Sequence, residues 1–565
     1  MSKNLSIRTF SVSLLIAWLA TPMASALADG ALLPSVQSRT DKVIYERPPG
    51  VPSDAELETS GARIGEVRID TRAMFDTGNS KENTSLFRLA NRLHIGTRDG
   101  TVTDQLLFRS GEPYARRLLD ESERMLRTNH FLRDAVVRPV AYRDGVVDVE
   151  VVTQDVWTFN PGVSFGRKGG RNTSGFELEE LNLLGLGTQL GIGYKSGLDR
   201  DSKTIFYRDR QLGSSWWSLS TTYSDNSDGR LGELSVEHPF YALDSRWAGG
   251  ISLRDDQRID SRYDRGEIID EFARSERFAS VYYGRATGLR DGWTRRLTFG
   301  ATWDATEFSP SAQSLASRIV PSDRTLAFPW IGVEWIQDEF LTERNRTQIE
   351  RIEDVAMGWR VRGQLGISSS AFGADRTSLP FEAGLSRGLR PTPRQTLLFD
   401  AGTRGRFEDS RLAATITRGA AQYFFRQSDR RLLYLGLSGE FGSKLDLDQQ
   451  ILLGGDSGLR GYPLRYQAGE GRWLFTAEQR LFTNWYPFRL MNVGAAVFYD
   501  MGGTWGRDPL GAPSQGVLKD FGVGLRLGNS RSALGNVVHI DVAMPLDGDS
   551  SIRNVQFIVE TKRSF

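Results

Sequence analysis

The sequence predicts an all-β transmembrane barrel of antiparallel strands, preceded by one small α+β domain. Three observations carry that prediction. From about residue 157 the chain alternates apolar with polar or glycine side chains, segment after segment, with no helical stretch between them. The alternating segments are about ten residues long, the length a tilted strand needs to cross a bilayer. The last of them, VQFIVETKRSF, ends the chain on an aromatic residue.

Composition narrows the function classes. The 71 basic and 70 acidic residues of the 565-residue chain balance, so no polyanionic partner is implied and nucleic acid is not expected. The absence of cysteine excludes disulfides, thiolate metal sites and cysteine nucleophiles. Only four histidines are present, His94, His130, His238 and His539, and they are scattered. No metal site and no cofactor are expected from them.

At the N-terminus, Lys3 and Arg8 precede the apolar run SVSLLIAWLA, and small residues follow at Ala24, Ala26 and Ala28. This pattern predicts a secretory signal over residues 1–26. The apolar run is shorter than the roughly 20 residues of a spanning helix. Residues 27–60 are polar, proline-dotted and aperiodic, and are expected to form a flexible linker.

Residues 61–156 carry a compact α+β pattern. IGEVRID (64–70) reads as a strand and SLFRLANRL (85–93) as a short helix. A longer helix is expected from Pro113, a residue suited to a first turn. Tyr114, Leu118, Leu119, Ser122, Met125 and Leu126 then share one face. A strand at 134–142 and another at 146–152 follow, joined by Asp144-Gly145, a strong hairpin signal.

The barrel is predicted over residues 157–565. Trp247, Gly249, Ile251 and Leu253 alternate with arginine and small residues, as do Leu297, Phe299, Ala301 and Trp303. Met357, Trp359, Val361 and Leu365 do the same against Arg360, Arg362 and Gln364. A soluble sandwich would also alternate. Arginine-bearing polar faces repeated over so long a helix-free region favour a closed barrel, the only sheet whose backbone is fully paired in lipid. WYPF (485–488), with Trp473 and Trp505, reads as an interfacial aromatic girdle.

The residues 454–471, GGDSGLRGYPLRYQAGEG, form a glycine-rich loop ahead of the strand RWLFTAEQRLF. With the apolar faces outward, Glu478 and Asp500 point into the lumen from neighbouring strands, and the loop supplies Arg460. A guanidinium fork bridges two carboxylates better than an ammonium does. Gly454, Gly455, Gly458 and Gly461 let the backbone fold back without side-chain clashes. The loop is therefore expected to fold inward and latch Arg460 to Glu478 and Asp500. The embedded G-D-S-G also suggests a trypsin-like nucleophile at Ser457. That reading lacks a histidine partner in place, since His539 is expected to be an ordinary lining residue. Asp456-Ser457 is simpler as turn chemistry. GLGTQLGIG (185–193) lacks the lysine of a phosphate loop and opens no helix.

The strand–helix–helix–strand–strand order, with FRSGEPYARRLLDESERMLRTNHF leading into the hairpin, resembles a polypeptide-transport-associated (POTRA) domain. One such unit is found. GGDSGLRGY resembles the arginine-glycine-aromatic loop of the BamA/TamA outer-membrane assembly family, which includes the two-partner secretion transporters. The motif residues are Gly454, Gly455, Leu459, Arg460, Gly461 and Tyr462. In that family the loop arginine meets a glutamate and the aspartate of a phenylalanine-x-aspartate-x-glycine motif, here Glu478 and Asp500 in FYDMG. The final strand, with Phe557, Val559 and Phe565 on its apolar face, resembles the recognition signal of bacterial outer-membrane barrels. The resemblance implies sixteen strands, and sixteen is the expectation, although a direct tally of segments allows about twenty.

What the resemblance implies is a non-enzymatic barrel in the bacterial outer membrane, its N-terminal domain in the periplasm, that assists insertion or translocation of polypeptides. Its partners would be outer-membrane lipids and unfolded or extended clients, captured by strand addition to the POTRA sheet. Accessory subunits are not indicated by the sequence. Two alternatives stand: a two-partner secretion transporter for a dedicated exported protein, and a passive pore or structural barrel. Two-partner transporters usually carry two POTRA units and a plug helix, which counts against the first.

Overall fold

The computed structural model describes residues 47–311, 319–506, 508, 514–529, 531–533, 537–548 and 552–562. The expected signal segment, residues 27–46 of the expected linker, and Phe565 lie outside these described residues.

In the N-terminal α+β unit, Val146–Asp155 is the central strand of three. Arg63–Arg72 pairs with it in parallel and Leu132–Arg143 antiparallel. Asp144 and Gly145 turn the hairpin with φ of 50° and 82°, as a two-residue turn with both residues left-handed requires. Val147, Val149 and Val151 point to one side and are fully buried against Leu119 and Leu126 of the helix Arg116–Arg127. That helix starts at Arg116 and not at Pro113. Pro113 forms a bridge with Arg63, and the Tyr114 N–H donates to the Ala62 carbonyl at 2.8 Å, so extended backbone continues to Ala115. Order also begins before residue 61. A helix at Asp54–Thr59 lies inside the segment expected as linker, and its Leu57 is completely buried in the domain core. Ser53 and Glu56 close its first turn as a reciprocal capping box.

Among the described residues, twenty strands close into one antiparallel barrel, with Phe159–Lys168 first and Gln556–Lys562 last. The direct tally is therefore the correct count, and sixteen is too few. The short strands Arg171–Leu183, Thr188–Ser196 and Asp201–Asp209 are each paired on both sides. Nine tilted residues suffice to cross the hydrocarbon, so these are full wall strands. Outside the wall stand Val281, Phe299, Trp303, Ile331, Leu365, Leu437 and Val523, all exposed. Inside, the Ser280 and Thr302 hydroxyls lie 3.1 Å apart and Arg296 pairs with Glu334 at 2.9 Å. An apolar outer band over a polar interior is the pattern of a lipid-embedded barrel. The fold and the N-terminal unit place the protein in the outer membrane with that unit in the periplasm. Met357 departs from the expected alternation. It precedes the strand Arg360–Gly366 and is buried, near Gly388.

Barrel diameter grows with strand number, so twenty strands enclose a wide lumen that wall side chains alone do not fill. Among the described residues, two chain excursions enter it. From the extracellular end comes the segment between Arg431–Ser443 and Gly471–Phe482. From the periplasmic end comes a separate two-stranded ribbon, Phe340–Arg344 with Ile352–Ala356, between the adjacent wall strands Arg324–Gln337 and Arg360–Gly366.

The α+β unit is bound to successive periplasmic turns. Thr101 Oγ1 donates to the Gly185 carbonyl at 2.8 Å, and Gln211 Nε2 to the Asp104 carbonyl at 3.0 Å. The Leu243 N–H donates to Glu121 at 2.7 Å, and Arg531 Nη2 to Glu82 at 2.6 Å. Because the chain has no cysteine, single-cysteine labels test the wall assignment without background. A fluorophore at Val281→Cys should be quenched by brominated lipid and one at Ser280→Cys should not; equal quenching would contradict the assignment.

Candidate functional site

The site is built on two adjacent wall strands. Gly471–Phe482 and Met491–Trp505 pair with Thr476 opposite Asp500 and Glu478 opposite Phe498. Period-two alternation turns Thr476, Glu478, Arg480, Phe498 and Asp500 to the same side. Glu478, Arg480, Phe498 and Asp500 are all buried there.

The loop reaches them through a short ribbon, Ile451–Leu453 with Gln467–Gly469. Gly454 and Gly455 lead into a tight turn at Gly455–Ser457, closed by the Gly454 N–H donating to Ser457 Oγ at 2.8 Å. Ser457 is thus a turn residue. Gly458 takes φ of 119°, which disfavours any side chain. Gly461 presses on the wall, where a Cβ would sit 2.6 Å from the Cβ of Asp520. Leu459 and Tyr462 are fully buried with Leu453, Tyr466, Leu518 and Ile552. The Tyr462 hydroxyl donates to the Lys519 carbonyl at 2.8 Å. Further pins hold the loop's flanks: Arg465 forms two bonds to Asp199, at 2.6 and 2.8 Å. Arg324 meets Asp446 at 2.9 Å and Asp448 at 3.2 Å.

These contacts seat Arg460 over the wall carboxylates. Its Nε and Nη2 donate to the two oxygens of Asp500 at 2.6 and 3.0 Å, and Nη1 donates to Glu478 Oε2 at 3.0 Å. The guanidinium carbon stands 3.3 Å from the centre of the Phe498 ring, a cation–π contact. Thr476 Oγ1 adds a bond to Asp500 at 2.8 Å.

The cluster is larger than the sequence reading placed it. Asp541 lies 3.7 Å from Arg460 Nη1 and binds Arg526, which itself stands 3.7 Å from Glu478. Arg480 Nε donates to Glu478 Oε1 at 2.9 Å. Three arginines and three carboxylates thus interlock, each ion with a close partner as burial requires, and a fourth carboxylate, Asp520, lies buried opposite Asp500 on the next strand. Phe498 was visible as the aromatic of FYDMG, and alternation turns it inward like Asp500. Alternation also turns Arg526 and Asp541 inward, although only the register of Leu518–Asn529 with Val537–Pro545 brings them together. Phe557 and Val559 are not part of this cluster. They lie on the closing strand, Phe557 exposed on the outer face and Val559 opposite Arg167 of the first strand.

No family model and no curated protein matches this chain. Among solved structures it is similar to BamA from Haemophilus ducreyi lacking POTRA domains 1–3, at 14% identity and a TM-score of 0.37, over 89% of this chain and 85% of that one. It is also similar to CdiB from Escherichia coli (13% identity, TM-score 0.45, 90% and 77% covered). For CdiB from Acinetobacter baumannii the values are 13%, 0.42, 90% and 74%.

Arg460→Ala removes the arginine that forks Asp500, whereas Glu478 keeps Arg480. Stranding one buried carboxylate costs about 3–5 kcal/mol. Ser457→Ala removes the two turn bonds its hydroxyl makes with Gly454, together worth about 1–2 kcal/mol. Denaturant unfolding of the barrel in lipid should separate the two variants by that margin; equal, small losses would contradict the geometry.

Proposed function

We propose that this chain is a member of the BamA/TamA outer-membrane assembly family and helps polypeptides insert into or cross the outer membrane. The observation that carries the reading is the seam. Among the described residues, the closing strand Gln556–Lys562 and the first strand Phe159–Lys168 share one registered pair, Val559 with Arg167. On its other side the same closing strand pairs with Val537–Pro545 at every position from Gln556 to Lys562. A side-chain contact, Lys168 to Glu560 at 2.8 Å, supplements the seam. A barrel wall with one sparse ladder opens there at least cost in backbone hydrogen bonds, and each freed strand edge can template an incoming strand. Beyond its start, which residues 111–114 cover, the outer edge of Arg63–Arg72 in the periplasmic sheet offers the same chemistry to an extended client.

Occupation of the lumen from both ends speaks against a passive pore. In the assembly reading, the loop latch with Gly454, Gly455, Leu459, Arg460, Gly461 and Tyr462 keeps the lumen wall in register while the seam opens.

The test joins depletion to a lock. Depletion should lower the levels of other outer-membrane proteins, and an Arg167→Cys/Val559→Cys disulfide should reproduce that loss until reductant is added. Antiparallel partners of this kind lie within disulfide reach. Unchanged levels on depletion, with steady ionic conductance of the purified protein, would overturn the assembly reading. A locked seam with full activity would overturn lateral opening alone.

A further inference from the structure

The periplasmic ribbon Phe340–Ala356 has no place in the wall, and the proposed function gives it no role beyond occupying the lumen. It leaves the barrel between two adjacent strands, yet its tip reaches the opposite side of the lumen. There Ile349 is buried among Phe424, Leu432, Phe482, Ala496 and Val537, which come from five different wall strands. Gly528 belongs to a sixth, and a Cβ placed on it would lie 3.0 Å from the Cβ of Ile349. An apolar patch on the inside of a polar barrel calls for a cover, and Ile349 is that cover.

The tip is preformed. Glu353 accepts the backbone N–H groups of Arg346, Thr347 and Gln348 at 3.1, 2.9 and 3.0 Å. Asn345 and Glu350 bond each other across the turn. Arg346 is buried with its guanidinium 4.0 Å from the centre of the Phe424 ring. Its carbonyl accepts from Arg480 Nη1 at 2.9 Å, and the Arg344 carbonyl accepts from Arg426 at 2.8 Å.

The stem is held from the other side, by the α+β unit. Arg127 of the helix Arg116–Arg127 forks both oxygens of Asp354, each at 2.7 Å. Arg351 donates to the Leu132 carbonyl at 3.2 Å, and the Arg124 guanidinium stands 4.2 Å from the Phe340 ring centre. A cavity of about 510 Å³, lined by helix residues and by Phe340, Thr347 and Asp354, lies between helix and ribbon.

We propose that the ribbon Phe340–Ala356 is a built-in plug of the periplasmic half of the lumen, clasped at its tip by the wall and at its stem by the α+β unit. The wall clasp is one apolar side chain, the Arg346 guanidinium on the Phe424 ring and a few carbonyl contacts, so it releases without breaking a wall ladder. The stem clasp is a bidentate ion pair, so movement of the α+β unit pulls on the ribbon directly. Lumen closure is the property at issue, and the proposal stands whether or not the protein handles polypeptides.

Conductance of the full-length protein in planar bilayers tests it. Arg127→Glu should raise the conductance several-fold, and adding Asp354→Arg should bring it back toward the wild-type level by restoring the pair with its charges exchanged. In the Ile349→Cys/Gly528→Cys variant, oxidation should suppress openings that reductant restores, which keeps the test independent of how well the charge variants fold. Wild-type conductance for Arg127→Glu, or equal conductance of the oxidised and reduced cysteine pair, would overturn the proposal and leave the ribbon a fixed buttress.

Discussion

A buried guanidinium held by two carboxylates of the wall joins the inward-folded loop to the barrel. Ions withdrawn from water are tolerated only when each has a close partner. Arg460 therefore fixes the distance between the loop and the strands that bear Glu478 and Asp500. Its neighbours in the loop support that placement. Gly458 permits the left-handed bend and Gly461 the close approach to Asp520, while Leu459 and Tyr462 supply the apolar contacts that exclude water around the ions.

Strand number explains why such a loop is needed. Twenty strands enclose more space than their inward side chains occupy. The loop from outside and the ribbon from the periplasm both occupy that space. The two excursions come near one another on a single wall strand. Glu478 holds Arg460 of the loop, and Arg480, two residues along, holds both Glu478 and the backbone of Arg346 at the ribbon tip. The ribbon in turn meets Arg127 of the periplasmic helix. An unbroken chain of contacts thus runs from the extracellular loop to the α+β unit.

Much of this is legible in the sequence. Alternation alone placed Glu478 and Asp500 in the lumen, because a period of two leaves each side chain only two directions. The glycines around Arg460 marked a loop that folds back. What stayed hidden depended on pairing between distant segments. Arg526 and Asp541 meet through strand register, which no local pattern encodes. The ribbon LTERNRTQIERIEDV resembles any polar hairpin, and its inward course depends on the width of the barrel it enters. The helix Asp54–Thr59 is different. Its capping box, Ser53 with Glu56, was readable and was hidden only by the prolines around it.

The dependence of the fold on the Arg460–Asp500 pair is measured most directly by a double-mutant cycle. Arg460→Met, Asp500→Asn and the double variant would be unfolded reversibly in lipid vesicles alongside the wild type. If the pair anchors the loop, the double variant is more stable than the summed single losses predict, with a coupling of about 1–3 kcal/mol. Losses that add to within about 0.5 kcal/mol would contradict it, because sites that do not interact behave in that way.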